Sequence, residues 1–408
     1  MGYRKRLLIL GTGKDQIKGI LKAREMGLYT VGLDINEKSE GAGLVDEFYK
    51  VDIKSEDEVS GFVSSYAKPI DGVIAFGVDI PEIMALVANK RNLPFYTDYT
   101  NAKISRDKFL AKERMKEFGV NLPEYEKITS LSEFKGVVDK FGYPVVLKPT
   151  DNSGARGVLR ITDDTNLEWA YEYSRLFSKS GNLILEKFLD GIQISSESFV
   201  VDGKVYTVGL SERNYEFLEE FSPHIIENGG DLPPEVIDDN VLKKIDDEIH
   251  KCAEAFNVSN GVIKGDLVIK NGRVYIIEVA LRLSGGHFSS LEIPLNTGID
   301  FLKNAILMAL GEDIETGDLK YRSLKYVSLR YIFPYKSGVI KEIGFPEWMK
   351  EHSEVYEYGL YAKVGDKANY PVTSHPERLG YFLVVSDKKN RIEALIDRVY
   401  KDVVLKIV

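Results

Sequence analysis

The chain has 408 residues, 44% hydrophobic and 29% charged, with a formal net charge of −9 and one cysteine. That length exceeds a single core and points to two to four subdomains. The dispersed acidic excess disfavours nucleic acid and anionic membrane surfaces, which call for basic patches. The lone cysteine excludes an internal disulfide and fits a reducing, cytoplasmic setting, and no apolar run approaches the roughly 18 residues of a membrane span.

The opening MGYRKRLLILGTGKD reads as a first strand rather than a leader, because only four apolar residues follow its basic ones. Arg6 also breaks the N-myristoylation pattern. Residues 1–96 alternate strand and helix, with strands over 7–10, 29–33 and 72–76 and helices over 16–26, 56–66 and 81–91. This βαβ alternation predicts a parallel sheet covered on both faces. Gly11-Thr12-Gly13 after the first strand and Asp34 after the second suggest a dinucleotide site. However, Gln16 stands where the third glycine belongs, which argues against a nicotinamide-dependent oxidoreductase.

Residues 97–122 form a helical connector that carries Lys108. Within 123–190, a small α/β unit, the buried-strand pattern Tyr143-Pro144-Val145-Val146-Leu147 ends in Lys148. The loop Asn152-Ser153-Gly154-Ala155-Arg156-Gly157 follows. A strand lysine beside a Gly/Ser loop supplies a point charge and backbone N–H groups for phosphate oxygens, without being a Walker A motif. The small and polar residues of the loop suit a mobile flap. The strand Leu183-Ile184-Leu185 turns polar at Glu186-Lys187-Phe188-Leu189, where a backbone edge can read an adenine.

Residues 191–315 open on an alternating strand carrying Glu197. Glu212-Arg213-Asn214 ends the next strand ahead of a polar loop to Pro223-His224, a place where substrate selectivity would reside. Cys252 shares a helix face with Ile245 and Ile249 and reads as a small buried apolar residue rather than a nucleophile. The richest stretch is KGDLVIKNGRVYIIEVALRLSGG, residues 264–286. Two alternating runs flank Asn271-Gly272, the strongest short hairpin signal. Pairing them can bring Asp266 and Glu278 together, which is costly unless a cation lies between. Arg282 and the turn Ser284-Gly285-Gly286 follow, so the stretch holds a carboxylate pair for Mg²⁺, an arginine and a glycine turn. The ordinary alternative is a hairpin with solvated acids. Residues 316–408 hold strands over 326–332, 356–363 and 380–385 and a helix over 391–400, with no catalytic constellation.

In order along the chain, Lys108, Lys148 with its loop, the Glu186–Leu189 run, Glu197, Asp266, Glu278 and Arg282 resemble the ATP-grasp superfamily. The likeness is greatest to the branch with biotin carboxylase and the L-amino-acid ligases, and it covers nearly the whole chain. It implies an α/β (α+β overall) ATP-grasp fold: an N-terminal parallel-sheet domain over 1–96, the connector, a mobile lid over 123–190, a catalytic subdomain over 191–315 and a small β-rich C-terminal unit over 316–408.

The resemblance further implies ATP with Mg²⁺ (or Mn²⁺) as cofactors, small carboxylate and amine substrates, and a homodimer as in much of the branch. It assigns the ATP to Lys108, Lys148, Ser153, Gly154, Gly157, Glu186, Lys187, Phe188, Leu189 and Glu197. Adenine would contact the peptide groups of Lys187 and Leu189, so side-chain identity would matter little, and Glu197 would bind ribose or support a phosphate-binding lysine. Asp266 and Glu278 would hold metal, and Arg282 would stabilise an acyl-phosphate or oxyanion. Aspartate at 266 and alanine at 280 depart from the family's glutamate and asparagine, which puts a second metal in doubt. The implied activity is amide-bond formation through an acyl phosphate, with release of ADP and phosphate, acting on amino acids or similar small metabolites, as the L-amino-acid-ligase-like C-terminal part suggests. The alternatives are a bicarbonate-using carboxylase or carbamoyl-phosphate-type enzyme, or a non-catalytic ATP-binding protein.

Overall fold

The computed structural model describes residues 3–408, so the N-terminal glycine of the lipidation pattern lies outside them. The buried run Arg6–Leu10 is flanked by Tyr29–Asp34 and Gly72–Ile74, with Glu47–Lys50 at the edge, in one four-stranded parallel sheet. Helices Ile17–Glu25, Glu56–Ser65 and Pro81–Arg91 cover it. The edge strand was not expected, because its short, half-buried EFYK lacks an apolar alternation. Gln16, in the place of the third glycine, is buried and donates its amide to the Phe76 carbonyl at 2.8 Å. Asp34 accepts the backbone N–H groups of Thr12 and Asn36. The turn that suggests a dinucleotide site is therefore closed by its own side chains.

Helices Tyr99–Arg106 and Lys108–Glu117, each capped by an aspartate side chain, lead to a four-stranded antiparallel sheet. Its order is Tyr125–Ile128, Leu183–Lys187, Val145–Pro149, Leu159–Ile161. Helices Leu131–Phe141 and Leu167–Leu176 bury Phe134, Val138 and Ala170 against it. Alternation along Leu183, Leu185 and Val145, Leu147 places one apolar face on this core and leaves the other face for the cavity described below.

The central sheet has eight antiparallel strands. Arg273–Ala280, Gly261–Lys270, Ile192–Val201 and Lys204–Arg213 join through Gly230–Leu232 to Tyr326–Ile332, Gly380–Ser386 and Val355–Leu360. The C-terminal strands thus continue the sheet that carries the hairpin, and helix Lys389–Asp402 packs on them. A three-stranded sheet of Lys367–Ala368, Gly338–Gly344 and Val404–Ile407 adds strands that the sequence pattern did not signal. Cys252 lies fully buried beside Met115. No helix among the described residues is long and apolar enough to cross a membrane.

Candidate functional site

A cavity of about 750 Å³ lies between the lid sheet and the hairpin end of the central sheet, within the usual range for small-molecule sites. The hairpin folds as its turn dictates. Asn271 and Gly272 both have positive φ, as a two-residue type I′ turn requires. The register then sets Asp266 directly opposite Glu278, with a bulge at the next residue, and both carboxylates line the cavity.

Each acid is matched by cations. Asp266 accepts from Arg213 at 2.7 Å and from Ser195 Oγ at 3.1 Å, and it is also paired with Lys264. Burial would raise its pKa, but the Arg213 and Lys264 charges outweigh that and hold it well below the usual carboxylate range. Glu278 pairs with Lys108 Nζ at 3.3 Å. Lys108 opens its helix and also donates to the Asn152 carbonyl at 2.7 Å, so it ties the hairpin to the lid loop. Among the described residues no cluster of three or more His, Cys, Asp or Glu closes a metal site. Two oxygen donors with open positions suit a hard divalent cation that takes its remaining ligands from phosphate and water.

On the lid side Lys148 is 7% exposed and reaches Glu186 at 2.9 Å. The Glu186 side chain, 2% exposed, also meets Lys112 at 3.5 Å. Lys112 is itself 1% exposed and donates to the Ile277 carbonyl at 2.8 Å. Burial lowers Lys112 to about 8, with Glu186 pulling the other way. Burial would raise Glu186, but the two lysines hold it below its ordinary value. Glu186 is therefore a buried bridge between two ammonium groups, contrary to the expectation that its side chain matters little. Lys187 directs its amine to the carbonyls of Phe141 and Gly142, which leaves its peptide group at the cavity edge. Phe188 and Leu189 line the same edge, and Ser153 and Gly154 line the loop above it.

Two expected residues lie elsewhere. Gly157 does not line the cavity. Its φ is +73°, and an added Cβ would come within 3.0 Å of Phe177 and Pro149, so it serves the turn. Glu197 is fully buried behind the glycine turn and accepts the Ser284 N–H at 2.5 Å. Burial raises it to about 7. It braces the turn and does not line the cavity.

Arg282 lines the cavity with its Nε on Asp79 Oδ1 at 3.1 Å and an Nη on the Leu283 carbonyl at 3.2 Å. Asp79 follows the last strand of the N-terminal sheet and is shared with Arg106. Burial opposes its ionisation, yet Arg282 and Arg106 keep its pKa below the ordinary value. The loop approaches very closely here: a Cβ on Gly77 would sit 2.4 Å from the Gly285 Cα. Lys112, Asp79, Glu227, Glu292 and Arg378 were missed from sequence. The last three line the cavity, and tertiary packing, which spacing does not signal, brings them there.

A cavity between a four-stranded antiparallel sheet and a carboxylate-bearing hairpin of the central sheet defines an ATP-grasp protein. The chain belongs to the family described as carbamoyl-phosphate synthase L chain, ATP binding domain, matched over residues 107–316. Residues 330–408 match L-amino acid ligase C-terminal domain 2. The chain is 26% identical over 298 residues to the carbamoyl phosphate synthase large chain of Thermotoga petrophila, covering 69% of this chain. It spans about a quarter (26%) of the length of that relative. In fold it is similar to the L-amino acid ligase of Bacillus licheniformis, at TM-score 0.81, 21% identity and full coverage of both chains. It is likewise similar to the N5-carboxyaminoimidazole synthetase of Staphylococcus aureus complexed with ADP, at TM-score 0.75, 16% identity and 98% coverage of both.

Proposed function

We propose that this chain is an ATP-dependent carboxylate–amine ligase. ATP phosphorylates a substrate carboxylate, an amine displaces phosphate from the acyl phosphate, and the products are an amide, ADP and phosphate. The observation that carries this reading is the convergence in one cavity of Lys148 and the loop at Ser153 and Gly154, the facing carboxylates of Asp266 and Glu278, and Arg282.

In this reading Lys148 and Lys108 meet phosphate oxygens, with Ser153 and Gly154 closing over them. The peptide groups of Lys187 and Leu189 meet adenine beside Phe188. Asp266 and Glu278 would hold Mg²⁺, which when bound neutralises charge on the phosphates. Arg282 steadies the oxyanion that grows during attack. Glu186 takes no direct part and sets the position of Lys148.

The test is a panel of amino acids, other small carboxylates and bicarbonate, each with and without amines. Stimulated ADP formation is followed, and the products are identified by mass spectrometry. With the carboxylate labelled in ¹⁸O, one label should appear in the released phosphate. Formation of AMP and pyrophosphate would rule out the acyl-phosphate route. ATP binding without phosphate release across the panel would favour a non-catalytic protein.

A further inference from the structure

A second cavity, of about 570 Å³, adjoins the first, and Arg282 lines both. It is enclosed by strand Gly72–Ile74 of the N-terminal sheet, helix Pro81–Arg91, the start of strand Gly261–Lys270 and helix Phe301–Ala309. Its volume falls in the range of small-molecule sites. Lys148, Asp266 and Glu278 are not on its walls, so the phosphate chemistry proposed above does not use it.

The walls are apolar and braced. Ile74, Met84, Phe95, Val262, Leu283 and Met308 line the cavity. The Phe95 and Tyr96 rings lie 4.1 Å apart along one side. Tyr96 commits its hydroxyl to the Leu281 carbonyl at 2.5 Å, so it offers ring surface. Aromatic rings and thioether sulfurs together suit an aromatic guest. A Cβ on Gly311 would meet Pro94 at 2.6 Å, and one on Gly72 would meet the Ala309 carbonyl oxygen at 2.5 Å. Helix Phe301–Ala309 and the residues after it therefore already rest on the sheet and on the loop at Pro94, and the cavity cannot close by a small shift. Its charged groups are mostly acids. Asp202 and Asp313 line it and are exposed, which places them at its mouth. Glu312 also lines it and is paired with Lys5 at 2.6 Å. Among the described residues no base pairs with Asp202 or Asp313. The one cation on the walls, Arg282, is engaged by Asp79 and the Leu283 carbonyl. An apolar chamber with an acidic mouth favours a guest with an apolar body and a cationic end over an anion.

We propose that this second cavity is a binding site for a small arylalkylamine, which acts as an effector and not as a substrate. The aromatic body lies among Met84, Phe95, Tyr96 and Met308, and the ammonium group meets Asp202 and Asp313 at the mouth. The guest is not consumed, because the residues that would hold phosphate and metal lie outside this cavity. It reaches the nucleotide cavity only through their shared wall at Arg282. The binding of such a molecule does not depend on the ligase reading.

The experiment titrates tryptamine, phenylbutylamine and naphthylmethylamine into the full chain with MgADP present, followed by calorimetry. Neutral methylindole and anionic indoleacetate serve as comparisons. At least one amine should bind at one site per chain, and indoleacetate should bind more weakly than tryptamine. Met308→Trp, which fills the chamber, should abolish amine binding while MgADP affinity stays the same and reports that the variant is folded. Ala305→Leu fills the same chamber from the same helix with a smaller side chain, and it decides the matter if Met308→Trp loses MgADP. The pair Asp202→Asn and Asp313→Asn should weaken the amine by about twofold to tenfold and leave methylindole unchanged. Added salt should narrow the gap between amine and methylindole in the wild type. After incubation with MgATP and a mixture of amino acids, mass spectrometry should recover the amine unmodified. Failure of all the amines to bind overturns the proposal, as does undiminished binding to the filled variants. Indoleacetate binding as tightly as tryptamine also overturns it, and so does conversion of the amine to an amide, which would assign it to the first cavity. ADP formation in the substrate panel is unaffected by any of these failures, so the ligase reading is judged separately.

Discussion

Lys148→Met, Glu186→Gln and their combination probe the buried bridge directly. Glu186 lies 2.9 Å from Lys148 and 3.5 Å from Lys112, and all three side chains are almost wholly shielded from water. Removing one partner of a buried ion pair costs about 3–5 kcal/mol. Lys148→Met leaves Glu186 with Lys112 and relieves the repulsion between the two lysines, so its cost should be nearer 2 kcal/mol. Glu186→Gln strands two ammonium groups and should cost the full range. The double variant should be more stable than the sum of the two losses implies, with a coupling of about 1.5–3 kcal/mol.

pH supplies a second reading of the same bridge. Lys112 titrates near 8 in the fold against an ordinary value of 10.5. The unfolded chain therefore binds the extra proton between those values, and stability rises with pH across that window. Without Glu186 the folded value falls further, so the rise should begin below pH 8. Urea unfolding of the four proteins between pH 6 and 9, with ATP titrations alongside, measures both effects. Lys148→Met should also weaken ATP by roughly tenfold to a hundredfold. Additive losses within about 0.5 kcal/mol, with no change in pH dependence, would refute the bridge.

Glu278→Gln and Asp266→Asn should each remove the Mg²⁺ dependence of nucleotide affinity and abolish turnover. Magnesium titrations that match wild type in both would dismiss the facing pair as a metal site. Asp79→Asn should lower kcat by an order of magnitude or more while leaving the KM for ATP near wild type, because it acts through the orientation of Arg282. Asp79→Glu should restore part of the loss. Cys252, fully buried and with its thiol pKa raised by burial, should resist thiol reagents in the native chain and react only as the chain unfolds, as mass spectrometry of labelled samples would show.

The hairpin was legible because two local rules agree: alternation sets the faces, and Asn271-Gly272 sets the register. Asp266 and Glu278 could be paired on those grounds alone. Lys148 was legible as the single charge at the end of a buried strand. Glu186 ends a strand in the same way, yet its role depends on Lys112, which comes from the connector helix 74 positions earlier. Glu197 came only from the family resemblance; its strand is buried over most of its length, and the turn it braces comes into view only in the folded chain. The edge strands Glu47–Lys50 and Val404–Ile407 are short and partly exposed, and a half-buried edge leaves little alternation to detect. Asp79 had no local signal, since an ion pair across 203 residues is settled by tertiary packing alone.

Arg282 shows why the N-terminal sheet belongs to the site as much as the hairpin does. A guanidinium has five donors in a fixed plane. Here Nε is committed to Asp79 and one Nη to the Leu283 carbonyl, while the other Nη donates to no described residue. The plane is thus held from behind, and the free edge is left for the cavity. Asp79 is shared between Arg282 and Arg106, and Arg106 is also paired with Glu82 at 3.3 Å, so the aspartate is divided between two guanidinium groups and Arg282 keeps part of its charge where an oxyanion would develop. A carboxylate devoted to Arg282 alone would cancel that charge, and an arginine with no carboxylate would lose its orientation. The shared arrangement retains both, and it depends on the loop after the last N-terminal strand lying against the glycine turn, as the approach of Gly77 to Gly285 requires.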